Sequence, residues 1–203
     1  VTDIELSDGG PAAYVLNEDG ASRLVLLNPD AAVDLPVGIV SGMKFSPDGK
    51  RLGFTLSRPD APGDAYTYEI AEKKLVRWTY SETGGLDETK FVTPVRFTYK
   101  SFDQREIPAY AYRPRGAKKS PVVISIHGGP EGQSRPGFLA RSNYYLNELR
   151  VAIALANVRG STGYGKTFLK LDNGANRDHT HKDIGALLDW IKQQPTLDGD
   201  RIM

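Results

Sequence analysis

From Val1 to about Tyr80, apolar and polar residues alternate with period two in short runs. Leu52, Phe54 and Leu56 share one face of such a run, and Tyr66, Tyr68 and Ile70 share one face of another. This is the pattern of half-buried strands. Turn residues separate the runs. Asn17-Glu18-Asp19-Gly20 lies between Tyr14-Val15-Leu16 and Leu24-Val25-Leu26-Leu27, and Ser46-Pro47-Asp48-Gly49 lies between Met43-Lys44-Phe45 and the Leu52 run. Both predict hairpins, because Asp-Gly accepts the positive φ values of tight turns. The spacing predicts four strands near 40–45, 51–57, 65–70 and 74–79, and four antiparallel strands in about 40 residues is the size of one propeller blade. Residues before 40 read as the end of a preceding blade. About one and a half blades cannot close a ring, so the expectation is that residues 1–80 are the C-terminal part of a β-propeller that starts earlier.

Residues 81–93 are polar and aperiodic and read as a linker. The pattern then changes. Runs near 94–100 and 107–113, joined by Ser101-Phe102-Asp103-Gln104, still alternate, whereas Pro121 to Ile126 and Val151 to Ala156 are almost continuously apolar. Continuous apolar strands are expected of a parallel sheet covered on both faces. A helix is predicted from about Gly137 to Arg150, carrying Leu139, Tyr145, Leu146 and Leu149 at roughly helical spacing. A second is predicted from about Lys182 to Gln193, with Ile184, Leu187, Leu188 and Ile191 in one stripe. Strand, helix, strand, helix predicts for residues 94–203 a doubly wound, mostly parallel α/β sheet.

The chemistry is expected where buried strands end, since ligands of open α/β sheets gather outside the carboxyl ends of strands. His127-Gly128-Gly129-Pro130 follows the first apolar run directly. Two glycines there let the chain turn sharply and leave amide N–H groups uncovered, which suits donors aimed at an anionic oxygen. Asn157-Val158-Arg159-Gly160-Ser161-Thr162-Gly163-Tyr164-Gly165 follows the second run. Its spacing fits neither G-x-G-x-x-G nor G-x-x-x-x-G-K-[ST], which argues against a nucleotide cradle and for a rigid loop packed beneath the neighbouring turn. His179-Thr180-His181-Lys182-Asp183 has His-x-His spacing, yet it enters a helix in a chain with three His and no Cys. It reads as an exposed helix start, so no metal or other cofactor is expected.

Composition narrows the classes further. With 39% hydrophobic and 25% charged residues the chain has an ordinary globular composition, and zero Cys excludes disulfides, thiolate metal sites and a cysteine nucleophile. No apolar run is long enough to span a bilayer, so no membrane partner is expected. The compartment, cytoplasmic or periplasmic, stays open. Residues 1–90 carry 9 Lys+Arg against 15 Asp+Glu, a charge of −6, and residues 91–203 carry 17 against 10, or +7. The basic residues are scattered singly without interleaved aromatics, so a nucleic-acid partner is not expected.

Residues 94–203 resemble the catalytic domain of the prolyl oligopeptidase family of serine peptidases, most closely its acylaminoacyl-peptidase-like branch. The resemblance rests on His127-Gly128-Gly129-Pro130-Glu131-Gly132-Gln133 and on Asn157 to Gly165, with support from Asp183-Ile184 through Trp190 and from Asp198 to Met203. It implies an α/β-hydrolase domain preceded by propeller blades, and Ser-His-Asp acyl transfer on short peptides. It makes His127, Gly128 and Gly129 the oxyanion turn, with the Gly129 N–H as donor, and places Pro130, Glu131 and Arg159 against the substrate. No serine here has glycine at both minus two and plus two, which the nucleophile elbow of this fold requires. Ser134, in Gly132-Gln133-Ser134-Arg135-Pro136, comes near. The triad is therefore expected outside these 203 residues, the remainder of the same polypeptide is the expected partner, and the segment alone is expected to be inactive. A carboxylesterase of the same fold and a non-catalytic propeller-type binding module remain alternatives.

Overall fold

A computed structural model describes residues 1–8, 10–27, 30–129 and 131–203. They form two compact units, one of Val1–Thr89 with Pro136–Ala140, the other of Lys90–Arg135 with Arg141–Met203.

The first unit holds two four-stranded sheets. Strands β1 (Asp3–Leu6), β2 (Ala12–Glu18), β3 (Ala21–Leu27) and β4 (Ala31–Ala32) pair in sequence order. So do β5 (Ile39–Phe45), β6 (Arg51–Arg58), β7 (Ala61–Glu69) and β8 (Lys74–Arg77), and every pairing is antiparallel. Glu18 pairs with Ala21, leaving a two-residue loop with Asp19 at φ 54° and Gly20 at φ 98°, the signs required by the hairpin turn that matches strand twist. In the other hairpin Gly49 N–H donates to Ser46 O, and the Ser46 hydroxyl donates to Asp48. The two sheets share one core, in which Ala13, Val15 and Leu24 pack with Leu52, Phe54 and Leu56. Antiparallel four-stranded sheets are what propeller blades are made of. Ahead of Val40 the turn spacing suggested part of a sheet; the short β1 and β4, only half-buried or exposed, complete a fourfold set that alternation alone does not reveal.

The second unit is a five-stranded sheet built from β9 (Val95–Lys100), β10 (Glu106–Tyr112), β11 (Ser120–Ile126), β12 (Ala152–Ala156) and β13 (Leu197–Ile202) in the order β13-β11-β12-β10-β9. Strand β11 runs parallel to β12 and β13, while β10 is antiparallel to both β9 and β12. The sheet is thus mixed, not mostly parallel. Strand β10 is buried at six of its seven residues, and burial on both faces does not encode direction.

Helix α1 is only Asn143–Asn147, α2 is Gly165–Leu169 and α3 is Asp178–Lys192. The long helix expected from Gly137 does not form. Pro136–Ala140 belongs to the first unit, Ala140 has φ 46°, and regular helix begins only at Asn143. Helix α3 starts four residues earlier than its apolar stripe implied and packs along β9 and β13. Its Leu187 and Ile191, both fully buried, join Tyr99, Ile107, Val122 and Ala154 in the core of this unit. No helix among the described residues is long and apolar enough to cross a membrane.

Candidate active site

Strand β11 ends at Ile126, and His127-Gly128-Gly129 turns the chain away from its carboxyl end. Gly129 has φ +98°, a backbone state that an L side chain resists and glycine adopts freely. Gly128 and Gly129 are exposed, and among the described residues neither amide N–H has a hydrogen-bond acceptor. Exposed as they are, these N–H groups are open to water or to a ligand oxygen.

The turn is held from one side by His127. Its Nε2 lies 2.8 Å from Ser161 Oγ, and the Ser161 hydroxyl lies 2.6 Å from Val158 O. A hydroxyl has one proton, and Val158 O, a pure acceptor, takes it. Ser161 Oγ then accepts from His127, which assigns the neutral ring to the Nε2–H tautomer. Gly132 closes over the same ring: a Cβ there would sit 2.7 Å from His127 Nδ1 and 2.9 Å from Gly128 O. No other residue fits without displacing the turn.

Asn157, fully buried at the end of β12, joins the two loops. Its Oδ1 accepts from Ser134 N–H at 2.7 Å, its Nδ2 lies 3.0 Å from both Ser134 O and Tyr164 OH, and its own N–H donates to Pro108 O. Thr162 N–H donates to Gly132 O at 2.8 Å. The 127–134 turn therefore rests on the 157–164 loop through hydrogen bonds at both of its ends.

Below this contact lies Arg159, whose side chain is 2% exposed. Its guanidinium grips the buried Asp183 of α3 at 2.8–3.1 Å and reaches Asp103 at 3.1 and 3.3 Å, and its backbone N–H also donates to Asp183. Ser101 adds a hydroxyl to Asp183 Oδ1 at 2.5 Å, and the Phe102 ring lies 4.7 Å from the guanidinium carbon. Burial pushes the Asp103 carboxyl up, but hydrogen bonds from Arg159 outweigh it and hold the group below its ordinary value. Burial likewise works against the Arg159 cation and is overcome by Asp183 and Asp103. Tyr99 is driven upward by burial and by the Asp183 charge, and among the described residues its hydroxyl has no hydrogen-bond partner.

The structure thus brings His127, Gly128 and Gly129 together at the turn, leaves Glu131 exposed beside it, and commits Arg159 to two carboxylates beneath it. Pro130 lies outside the described residues. His179 packs against Phe102 with ring centroids 5.1 Å apart, and His181 is exposed near Asp178. Asn157 and Ser161 were not singled out from the sequence as site residues. A polar residue directly after a continuous apolar strand was the available signal for Asn157; nothing local marked Ser161 as the acceptor for a histidine 34 residues away.

Residues 138–203 match the profile of the prolyl oligopeptidase family. The chain is 24% identical to the uncharacterized peptidase YuxL of Bacillus subtilis, an alignment covering 93% of this chain and 30% of the relative. It is 26% identical to dipeptidyl aminopeptidase BIII of Pseudoxanthomonas mexicana, covering 66% of this chain and 22% of that enzyme. The acylaminoacyl peptidase of Pyrococcus horikoshii superposes on it with a TM-score of 0.77 at 22% identity, covering 99% of this chain and 32% of that one. The chain spans a third or less of the length of these relatives. The segment that matches the family takes in the Arg159 loop, α2, α3 and β13, whereas the His127 turn lies upstream of it.

Proposed function

We propose that the protein is a serine peptidase of the oligopeptidase or acylaminoacyl-peptidase type, hydrolysing short peptides by acyl transfer, with Gly129 N–H as an oxyanion donor. In this reading residues 94–203 are the N-terminal part of an α/β-hydrolase domain, 81–93 a linker and 1–80 the end of a propeller. The attacking serine and its acid and base partners belong to chain beyond these residues, because no serine here stands in Gly-x-Ser-x-Gly. The remainder of the same polypeptide is then the partner that completes the site.

The single observation that carries the proposal is the Gly129 amide, exposed, without an acceptor among the described residues, and fixed at positive φ at the carboxyl end of β11. When a serine adds to a peptide carbonyl, the oxygen gains a full negative charge. A donor already oriented toward that position stabilises the tetrahedral species more than the ground state, and one such donor is worth about 2.7 to 4 kcal/mol of barrier. His127 does not supply the donor through Nε2, which is committed to Ser161; it steadies the turn instead. Arg159 acts in the same supporting sense, and Glu131 is the exposed carboxylate placed to receive a substrate amine.

The test is labelling of the protein expressed from its complete reading frame with a fluorophosphonate. A stoichiometric adduct on a serine, with hydrolysis of peptide p-nitroanilides exceeding that of p-nitrophenyl esters, is expected. A folded protein that takes no label would overturn the enzyme reading in favour of a binding module, and ester hydrolysis alone would favour a carboxylesterase.

A further inference from the structure

Asn157 stands where a side chain can hold the 127–134 turn from beneath. Ala156 pairs with Ile126 between β12 and β11 and with Ala109 between β12 and β10, so Asn157 lies one residue past the last rung, level with His127. Its backbone N–H donates to Pro108 O at 2.9 Å. Its side chain is fully buried, which keeps it away from any substrate atom, and it reaches Ser134 at the far end of the turn.

A carboxamide has two protons to give and one oxygen to receive, and this one uses both ends. Oδ1 accepts from Ser134 N–H at 2.7 Å, while Nδ2 donates to Ser134 O and to Tyr164 Oη, each at 3.0 Å. Turned over, the amide would set Nδ2 against the Ser134 N–H and Oδ1 against the Ser134 carbonyl, two repulsive contacts in a buried place. One side chain thus pairs with both main-chain groups of Ser134, as a neighbouring strand would. The turn is also tied to the 157–164 loop by His127 to Ser161 and by Thr162 N–H to Gly132 O. Of these ties the Asn157 pair alone fixes the orientation of a residue as well as its place. Gly129 lies between them, and with glycine at 128, 129 and 132 the backbone resists rotation little. The direction of the Gly129 N–H is therefore set by what holds the ends of the turn.

We propose that Asn157 is a positioning residue for the oxyanion donor, acting through Ser134. The inference rests on the reading of Gly129 N–H as that donor. A donor held in the direction of the developing oxyanion favours the transition state over the bound substrate, so loosening its support lowers kcat and leaves KM in place. A misplacement of about 1 Å costs about 10²-fold. The ties through His127 and Thr162 do not involve the Asn157 side chain, so its removal costs less than removal of the donor itself.

The experiment is steady-state hydrolysis of a peptide p-nitroanilide by the protein from its complete reading frame, as a function of pH and below the melting transition of every variant. Asn157→Ala is expected to lower kcat about tenfold to 10²-fold while KM moves less than about threefold. Asn157→Asp keeps the shape and the acceptor for Ser134 N–H. Ionised, it sets a carboxylate oxygen against Ser134 O; protonated, its hydroxyl donates to that oxygen and restores the pair. Burial and the facing carbonyl favour the protonated form, which raises this carboxyl above the ordinary range. The kcat of Asn157→Asp relative to the parent at the same pH is therefore expected to recover about tenfold as pH falls, while the same ratio for Asn157→Ala stays flat. If Asn157→Ala does not fold, the Asn157→Asp ratio decides alone. An unchanged kcat in folded Asn157→Ala, a loss carried by KM, or a flat Asn157→Asp ratio would overturn the proposal. A parent that takes no fluorophosphonate, or whose kcat survives Gly129→Ala, fails the oxyanion reading itself; a labelled parent that loses kcat in Gly129→Ala but not in Asn157→Ala fails this inference alone.

Discussion

At the scale of single residues, Gly128 and Gly129 are neighbours with different requirements. A Cβ at Gly128 meets nothing within 4 Å, and one at Gly129 comes only within 3.8 Å of Glu131 N, so space does not distinguish them. Backbone state does, since Gly129 alone of the pair has positive φ. Alanine at 129 costs about 1–2 kcal/mol where it stands, or shifts the amide to escape. Under the oxyanion reading Gly129→Ala is expected to lower kcat by about 10²- to 10³-fold with little change in KM, and Gly128→Ala to cause the smaller loss of the two. Steady-state kinetics on the complete protein check this, and equal losses at the two positions would point away from Gly129 as donor. Ser161→Ala removes the acceptor of His127 Nε2 and one of the two donors to Val158 O. A stability loss of about 1–2 kcal/mol is expected, together with a change in the His127 tautomer balance readable in the ring nitrogen shifts. Retention of the wild-type shifts would show that Ser161 does not set the tautomer.

Elements show which parts of this architecture the sequence could disclose. The strands of the first unit were legible because Asp19-Gly20 and Asp48-Gly49 mark their turns chemically and because burial alternates along β2, β6 and β7. That the chain turns at 127–129 was legible for a related reason: adjacent glycines after an apolar run mark a sharp turn. Strand direction in the second unit was not legible. Strand β10, with Ile107, Ala109, Tyr110, Ala111 and Tyr112 all buried, is covered like a parallel strand yet runs antiparallel to both neighbours. The stretch 137–150 misled for a different reason. Leu139 keeps helical spacing with Tyr145 and Leu146, but periodicity is blind to the reversal at Ala140, which separates Leu139 from the helix. The loop contacts that shape the candidate site, Asn157 to Ser134 and His127 to Ser161, span 23 and 34 residues. They depend on β11 and β12 lying side by side in parallel, which no local pattern encodes.

Across the whole molecule, each unit has its own core and buried carboxylates of its own, Asp64 in the first and Asp183, Asp172 and Asp198 in the second. Asp64 sits on β7 with a fully buried side chain and receives Arg77 at 2.5 and 3.1 Å, the Thr79 hydroxyl at 2.9 Å and Ser81 N–H at 2.8 Å, so it binds the irregular segment after β8 to the rest of its sheet. Burial acts to raise its pKa, but these donors prevail and leave it below the ordinary carboxylate value. A folded-state pKa below the unfolded one means that the unfolded chain takes up the proton first. The contribution is therefore complete above the unfolded value, near pH 4, and is lost as pH falls toward the folded value. Asp64→Asn keeps the shape, turns an amide toward Arg77 and leaves that guanidinium without its carboxylate, for an expected cost of about 3 kcal/mol at neutral pH. Hydrogen exchange read by mass spectrometry should then show faster exchange in β5 to β8 and unchanged protection in β9 to β13. The difference in urea midpoint between the variant and its parent should shrink below pH 4, as protonation makes the parent resemble the variant. A difference that stays constant down to pH 2 would mean that the carboxylate charge contributes nothing and that Asp64 acts through its shape.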